Sequence, residues 1–157
     1  MHPNEKLLTD FYSAFARKDA APMRAAYADD AHFSDAAFPD LHGAAVGDMW
    51  TMLCEQAQDF RLEFRNVKAD DVSGSAHWEA RYLFRGQRPV HNIIDAQFTF
   101  QNGKIVRHID TFDFWRWSKQ ALGPIGWALG WTPWLKKTVN ATAAKNLASW
   151  QKKQQRT

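Results

Sequence analysis

The sequence predicts an α+β fold: three N-terminal helices packed on one face of a curved, mostly antiparallel sheet, with an aromatic, basic helical extension at the C-terminus. Three observations carry it. Apolar residues recur at helical spacing across positions 5–59, apolar and polar residues alternate across positions 61–112, and Asn102-Gly103 separates two of the alternating runs. Asn-Gly is a strong hairpin signal, because a type I′ turn needs positive φ at both central positions.

A chain of 157 residues fits one domain and is long enough to bury a core. Hydrophobic residues at 45% and charged residues at 24% are ordinary for a globular protein, but eight Trp and eleven Phe are many, and such side chains line cavities as readily as they fill cores. The one cysteine, Cys54, excludes an internal disulfide and a multi-cysteine metal site, and it falls on an apolar helix stripe as packing. The first residues carry neither a basic n-region nor an apolar h-region, and no apolar run approaches the roughly 20 residues that span a bilayer. The expectation is a cytoplasmic protein.

Taken in order, Leu7, Leu8, Phe11, Tyr12 and Phe15 mark one face of a helix near residues 5–17, with Asn4 as its N-cap. Asp19 caps a second helix over 20–28, with Pro22 in its first turn and Met23, Ala26 and Tyr27 facing inward. Val46, Met49, Trp50, Leu53, Cys54 and Ala57 form the stripe of a third, over 47–59. Strands follow. Leu62 and Phe64 alternate within 61–67, and Trp78, Ala80, Tyr82 and Phe84 alternate against Glu79, Arg81 and Arg85, with turns at Ser73-Gly74-Ser75 and Gly86-Gln87-Arg88-Pro89. The last hairpin spans 93–112. On it His108 and Asp110 stand at i and i+2, flanked on the same face by Val106 and Phe112, so two ionisable groups share an apolar wall.

Asp35 is the third acid of interest. It follows Ala31-His32-Phe33-Ser34 and shares a side with Phe33, which makes it either a desolvated carboxyl of raised pKa or a turn carboxylate before Ala36 and Ala37. The remaining histidines carry less: His91 reads as solvated at a strand start, and His2, His32, His42 and His77 show no spacing signal.

Tyr27-Ala28-Asp29-Asp30-Ala31-His32-Phe33-Ser34-Asp35, then Leu41-His42-Gly43, then the Asn102-Gly103-Lys104-Ile105 hairpin, together resemble the nuclear transport factor 2-like superfamily, and within it the SnoaL-like and ketosteroid isomerase branch. The resemblance covers residues 5–113. It implies a cone-shaped α+β barrel whose sheet curls around a cavity closed by the three helices. It also implies a cavity lined by Phe11, Tyr12, Trp50, Trp78, Tyr82, Phe98 and Phe112, with Asp35 at the position of the isomerase's proton-shuttling Asp and His108 and Asp110 on the last strand. Two departures matter. Phe11 replaces the helix-1 Tyr that donates to the oxyanion, with Tyr12 about 100° round the helix, and Ala96 replaces the protonated Asp, with Asp95 on the other strand face. The steroid reaction is therefore not expected.

What the residues retain is an acid–base set: His108 to give or take a proton, Asp110 to orient it, and Asp35 on the opposite wall. SnoaL-like cyclases resemble this plan and use no cofactor. No tight ligand motif points to a metal. The leading function is thus a cofactor-independent isomerase- or cyclase-type enzyme acting by proton transfer on a small hydrophobic molecule. The alternatives are a non-catalytic ligand-binding or dimerisation module and an epoxide hydrolase-like enzyme. The last needs an inward Arg between its acids, and Arg81 and Arg107 both fall on outward positions.

Residues 114–157 form an extension beyond the cavity domain of residues 1–113. They carry 8 of the 20 Lys/Arg and none of the 17 Asp/Glu, a net +8 against −5 for the rest. Gly123-Pro124, Gly126, Gly130 and Pro133 interrupt its first half, and a helix is expected over 140–151. Either it packs on the barrel or at a homodimer interface, or its Trp and Lys residues meet an anionic membrane surface. No nucleic-acid-binding motif accompanies the charge.

Overall fold

The computed structural model describes residues 1–155. Three helices, α1 (Pro3–Ala16), α2 (Ala20–Ala25) and α3 (Ala44–Gln56), are joined by two strands, β1 (Tyr27–Ser34) and β2 (Leu41–His42). A meander follows: β3 (Gln58–Ala69), β4 (Ser73–Phe84), β5 (Arg88–Gln101) and β6 (Lys104–Thr111). The six-stranded sheet runs β2-β1-β6-β5-β4-β3, antiparallel throughout except for the β1–β6 pair.

The hairpin turn between β5 and β6 has φ 53° at Asn102 and 76° at Gly103, as a type I′ turn requires. Along β5 the inner face is buried at every second residue from Val90 to Phe100. β3 departs from straight pairing at two places, each beside a residue with positive φ, Asp59 and Asn66. Such irregularities bend a strand, and here they accompany a curled sheet.

Element ends differ from the sequence expectation for local reasons. α1 starts at Pro3 because the His2 ring Nδ1 accepts from the Asn4 amide; Asn4 itself is buried and donates from its side chain to Asp70 O. α2 stops at Ala25, and Tyr27 opens β1 instead of ending a helix. Pairing with Ile105 and two hydrogen bonds to the Tyr27 hydroxyl outweigh its helical spacing. α3 begins three residues before the expected 47, after Gly43 at φ 65°.

The core lies between α1–α3 and the concave sheet face, with Leu8, Phe11, Tyr12, Met23, Phe33, Met49 and Trp50 all nearly or wholly without solvent contact. The extension folds as α4 (Phe114–Leu122), α5 (Pro124–Leu129) and α6 (Pro133–Gln155). The last is far longer than the predicted 140–151. Its start was hidden among aromatic residues, where Pro133 opens the helix and the Thr132 hydroxyl accepts from the Leu135 amide. Gly126 lets α5 press on α4, since a Cβ there would stand 1.9 Å from Ser118 O. Arg116 and Gln120 of α4 bond the backbone of His91, while Asn140 of α6 donates to Ala37 O and Trp150 donates to Glu55. Leu147 and Trp150 join the core, so the end of α6 packs on the same body as the three helices, against α3.

Candidate active site

Between the sheet, α3 and the extension lies a cavity of about 1170 Å³, open to solvent at one side. Asp35, Trp50, Trp78, Tyr82, Asp110 and Phe112 line it, with Trp117 and Trp134 from the extension. Phe11, Tyr12, Phe98 and His108 do not. The inner end of the barrel is solid: Phe11 meets Trp50 edge-on at 5.7 Å, Tyr12 stacks on Phe64 at 5.6 Å, and Phe98 lies 4.2 Å from the His108 ring. Helical spacing put Phe11 and Tyr12, and strand parity Phe98 and His108, on the inner face, but depth along the barrel, which neither pattern encodes, placed them behind the cavity instead of in its wall.

His108 is fully buried, and its two ring nitrogens are both bonded. Tyr27 Oη lies 2.7 Å from Nδ1, and Asp110 Oδ1 lies 2.7 Å from Nε2. The Trp50 indole N–H donates to Tyr27 Oη at 2.8 Å. With that bond made, Tyr27 can donate its hydroxyl hydrogen to Nδ1 and leave an Nε2–H to donate to Asp110. Trp78 Nε1 also donates to Asp110 Oδ1, at 3.4 Å. Asp110 Oδ2 is buried and has no hydrogen-bond partner. The sequence reading had His108 exchange the proton and Asp110 orient it; in the structure it is Asp110 that lines the cavity, with His108 bonded behind it.

Asp35 follows the end of β1. Its Oδ1 accepts from the amides of Ala37 and Phe38 at 2.8 and 2.7 Å, so it is the turn carboxylate of the sequence reading and a member of the cavity wall at once. Burial pushes its pKa up to about 7; the Phe38 amide opposes the rise, the Asp110 charge adds to it, and the Ala37 amide opposes it. Asp35 Oδ2 makes no protein hydrogen bond among the described residues. Each acid thus commits one oxygen to the protein and leaves the other without a protein partner among the described residues.

A third polar group came from outside the expected set. Trp117 Nε1 donates to Tyr82 Oη at 2.9 Å, which leaves the tyrosine hydrogen free to donate into the cavity. Burial raises the Tyr82 pKa, so the phenol stays protonated at neutral pH. Neither Trp117 nor Tyr27 was read as a site residue, because one lies in the extension and the other was assigned to a helix stripe. His91 and His77 turn away from the cavity. They bond Glu79 at 2.7 and 2.9 Å on the outer sheet face, where His77 also meets Asp95.

Residues 8–108, more than half the chain, match the SnoaL-like domain. The chain belongs to the SnoaL-like family. No curated protein matches the sequence. Among solved structures it is similar to an LEH-like epoxide hydrolase from M. tuberculosis, at 18% identity, TM-score 0.64, covering 81% of this chain and 96% of that one. A proposed polyketide cyclase from Xanthomonas campestris matches at 21% identity and TM-score 0.63, over 76% and 96% of the two chains. A protein of ketosteroid isomerase-like fold from Catenulispora acidiphila, solved with trimethylamine, matches at 12% identity and TM-score 0.66, over 85% and 100%. At such identities these likenesses establish the fold alone.

In this SnoaL-like chain the matched domain ends at His108. Asp110, Phe112 and Trp117 therefore reach the cavity from beyond it, as does the wall contributed by α6.

Proposed function

We propose that this SnoaL-like protein is a cofactor-independent enzyme of isomerase or cyclase type that moves a proton within a small hydrophobic substrate. The observation that carries the reading is the pair of cavity carboxylates, Asp35 and Asp110, each with one oxygen tied by protein donors and one without a partner. A carboxyl with a pKa of about 7 populates both protonation states near neutrality, which suits a group that must take a proton and return it. Asp35 is the base in this scheme.

Abstraction of a proton beside a carbonyl builds negative charge on the carbonyl oxygen, and that charge needs donors. Tyr82, polarised by Trp117, supplies one. The aromatic walls lower the local dielectric and so strengthen these interactions. Asp35 then delivers its proton to a second carbon, or the enolate carbon attacks an electrophilic carbon of the same molecule and closes a ring.

An Asp-Arg-Asp set for epoxide hydrolysis cannot be built from Arg81 or Arg107, which are both exposed on outward positions of their strands; the arginines that border the cavity are Arg85 and Arg88, at the β4–β5 turn. The test begins with native mass spectrometry of the purified protein to identify a co-purified ligand. With that ligand, Asp35→Asn is expected to abolish turnover while affinity stays within about tenfold, since the base acts in the transition state. Equal turnover by the variant would overturn the scheme. A ligand that binds and is never converted by the wild type would leave a binding module.

A further inference from the structure

The extension presents a second feature that the cavity chemistry does not use. Within ten residues of chain, Ile125, Trp127, Trp131 and Trp134 are 60%, 64%, 66% and 62% exposed. Burying such side chains is favourable, and a monomer rarely leaves so many large apolar groups together in water. Ile125 and Trp134 also line the cavity, so this apolar segment borders its mouth. The cations Lys119, Lys136 and Lys137 are exposed on the same extension, and no acidic residue occurs from position 114 onward.

We propose that residues 125–137 form a docking face for an anionic lipid bilayer, held by indole rings in the headgroup layer and by lysines against the negative surface. Tryptophan belongs at that depth because its ring is apolar while its N–H stays polar, and lysines near an anionic leaflet gain from its potential. Among the described residues no helix is long and apolar enough to cross a membrane, so the contact is peripheral. A second copy of this chain fits the face less well. A two-fold contact sets a surface against itself, and here that would oppose one lysine-bearing face to another with no acid in the segment to answer it. With the cavity mouth at this border, an apolar ligand would pass from the lipid phase without crossing bulk water. Docking itself does not depend on the chemistry at Asp35.

The test is flotation of the full chain with vesicles of phosphatidylcholine alone and of phosphatidylcholine with phosphatidylglycerol at 3:1. The protein is expected to float with the anionic vesicles at least tenfold more strongly than with the neutral ones, and its tryptophan emission is expected to shift to the blue. High salt should weaken the binding. The double variant Trp127→Ser/Trp131→Ser, checked for native circular dichroism, should lose at least tenfold in partitioning, and so should Lys136→Glu/Lys137→Glu. No flotation with either vesicle, or flotation unchanged by both double variants, would overturn the proposal. So would a dimer in sedimentation velocity that the Trp variant dissociates while neither protein binds vesicles.

Discussion

His108 Nε2 lies 2.7 Å from Asp110 Oδ1, and of the two it is the histidine that has no contact with solvent or cavity. Two residues apart on one strand, they share a face but not a depth. The histidine therefore acts on chemistry only through the aspartate.

The Trp50–Tyr27–His108–Asp110 chain predicts a specific cost. Tyr27→Phe removes the central hydroxyl and strands Trp50 Nε1 and His108 Nδ1 without partners in the core. Burying unpaired polar groups costs about 1–3 kcal/mol, so urea denaturation should show a loss of that order with an unchanged m-value.

Asp35 makes stability depend on pH in an unusual direction. Its folded pKa of about 7 lies above the ordinary 3.8, so between these values the folded state holds more proton than the unfolded one. The contribution is fully present below about pH 4 and is lost as pH rises through about 7. Asp35→Asn should flatten that part of the profile, measured as the denaturation midpoint from pH 4 to 8. Carbon-detected titration of the Asp35 carboxyl should give a midpoint near 7.

Trp117→Phe keeps the ring that packs on Phe84 and Phe114 but removes the donor to Tyr82. One neutral hydrogen bond is worth about 1 kcal/mol, so kcat should fall by about five- to tenfold with KM and melting temperature little changed. A fall in KM's favour alone would assign Trp117 to binding.

Removing residues 114–157 takes away Leu147 and Trp150 from the core and one wall of the cavity. Truncated protein should aggregate or melt far below the full chain. Soluble material with an unchanged melting temperature would contradict the packing described.

The fold was legible because pattern and geometry agree over most of the chain: the Trp50 stripe, the alternation of β4 and β5, and the Asn102-Gly103 turn all report local rules that tertiary packing leaves intact. The site was legible only in part. Period two put His108 and Asp110 on one face, yet nothing in a strand pattern separates cavity floor from cavity wall, and only Asp110 reaches the wall. Tyr27 looked helical until sheet pairing claimed it. Trp117 gave no signal, because its meaning comes from a partner, Tyr82, 35 positions away.

The central claim is that Asp35 moves protons on a ligand in the cavity. Its most direct test is deuterium uptake in D₂O, followed by NMR, into the carbon beside the carbonyl of a cyclic ketone shown by titration to bind the protein. The account predicts catalysed uptake by the wild type, with a rate that rises through pH 7, and none above background for Asp35→Asn. Uptake at the same rate in the variant would contradict it.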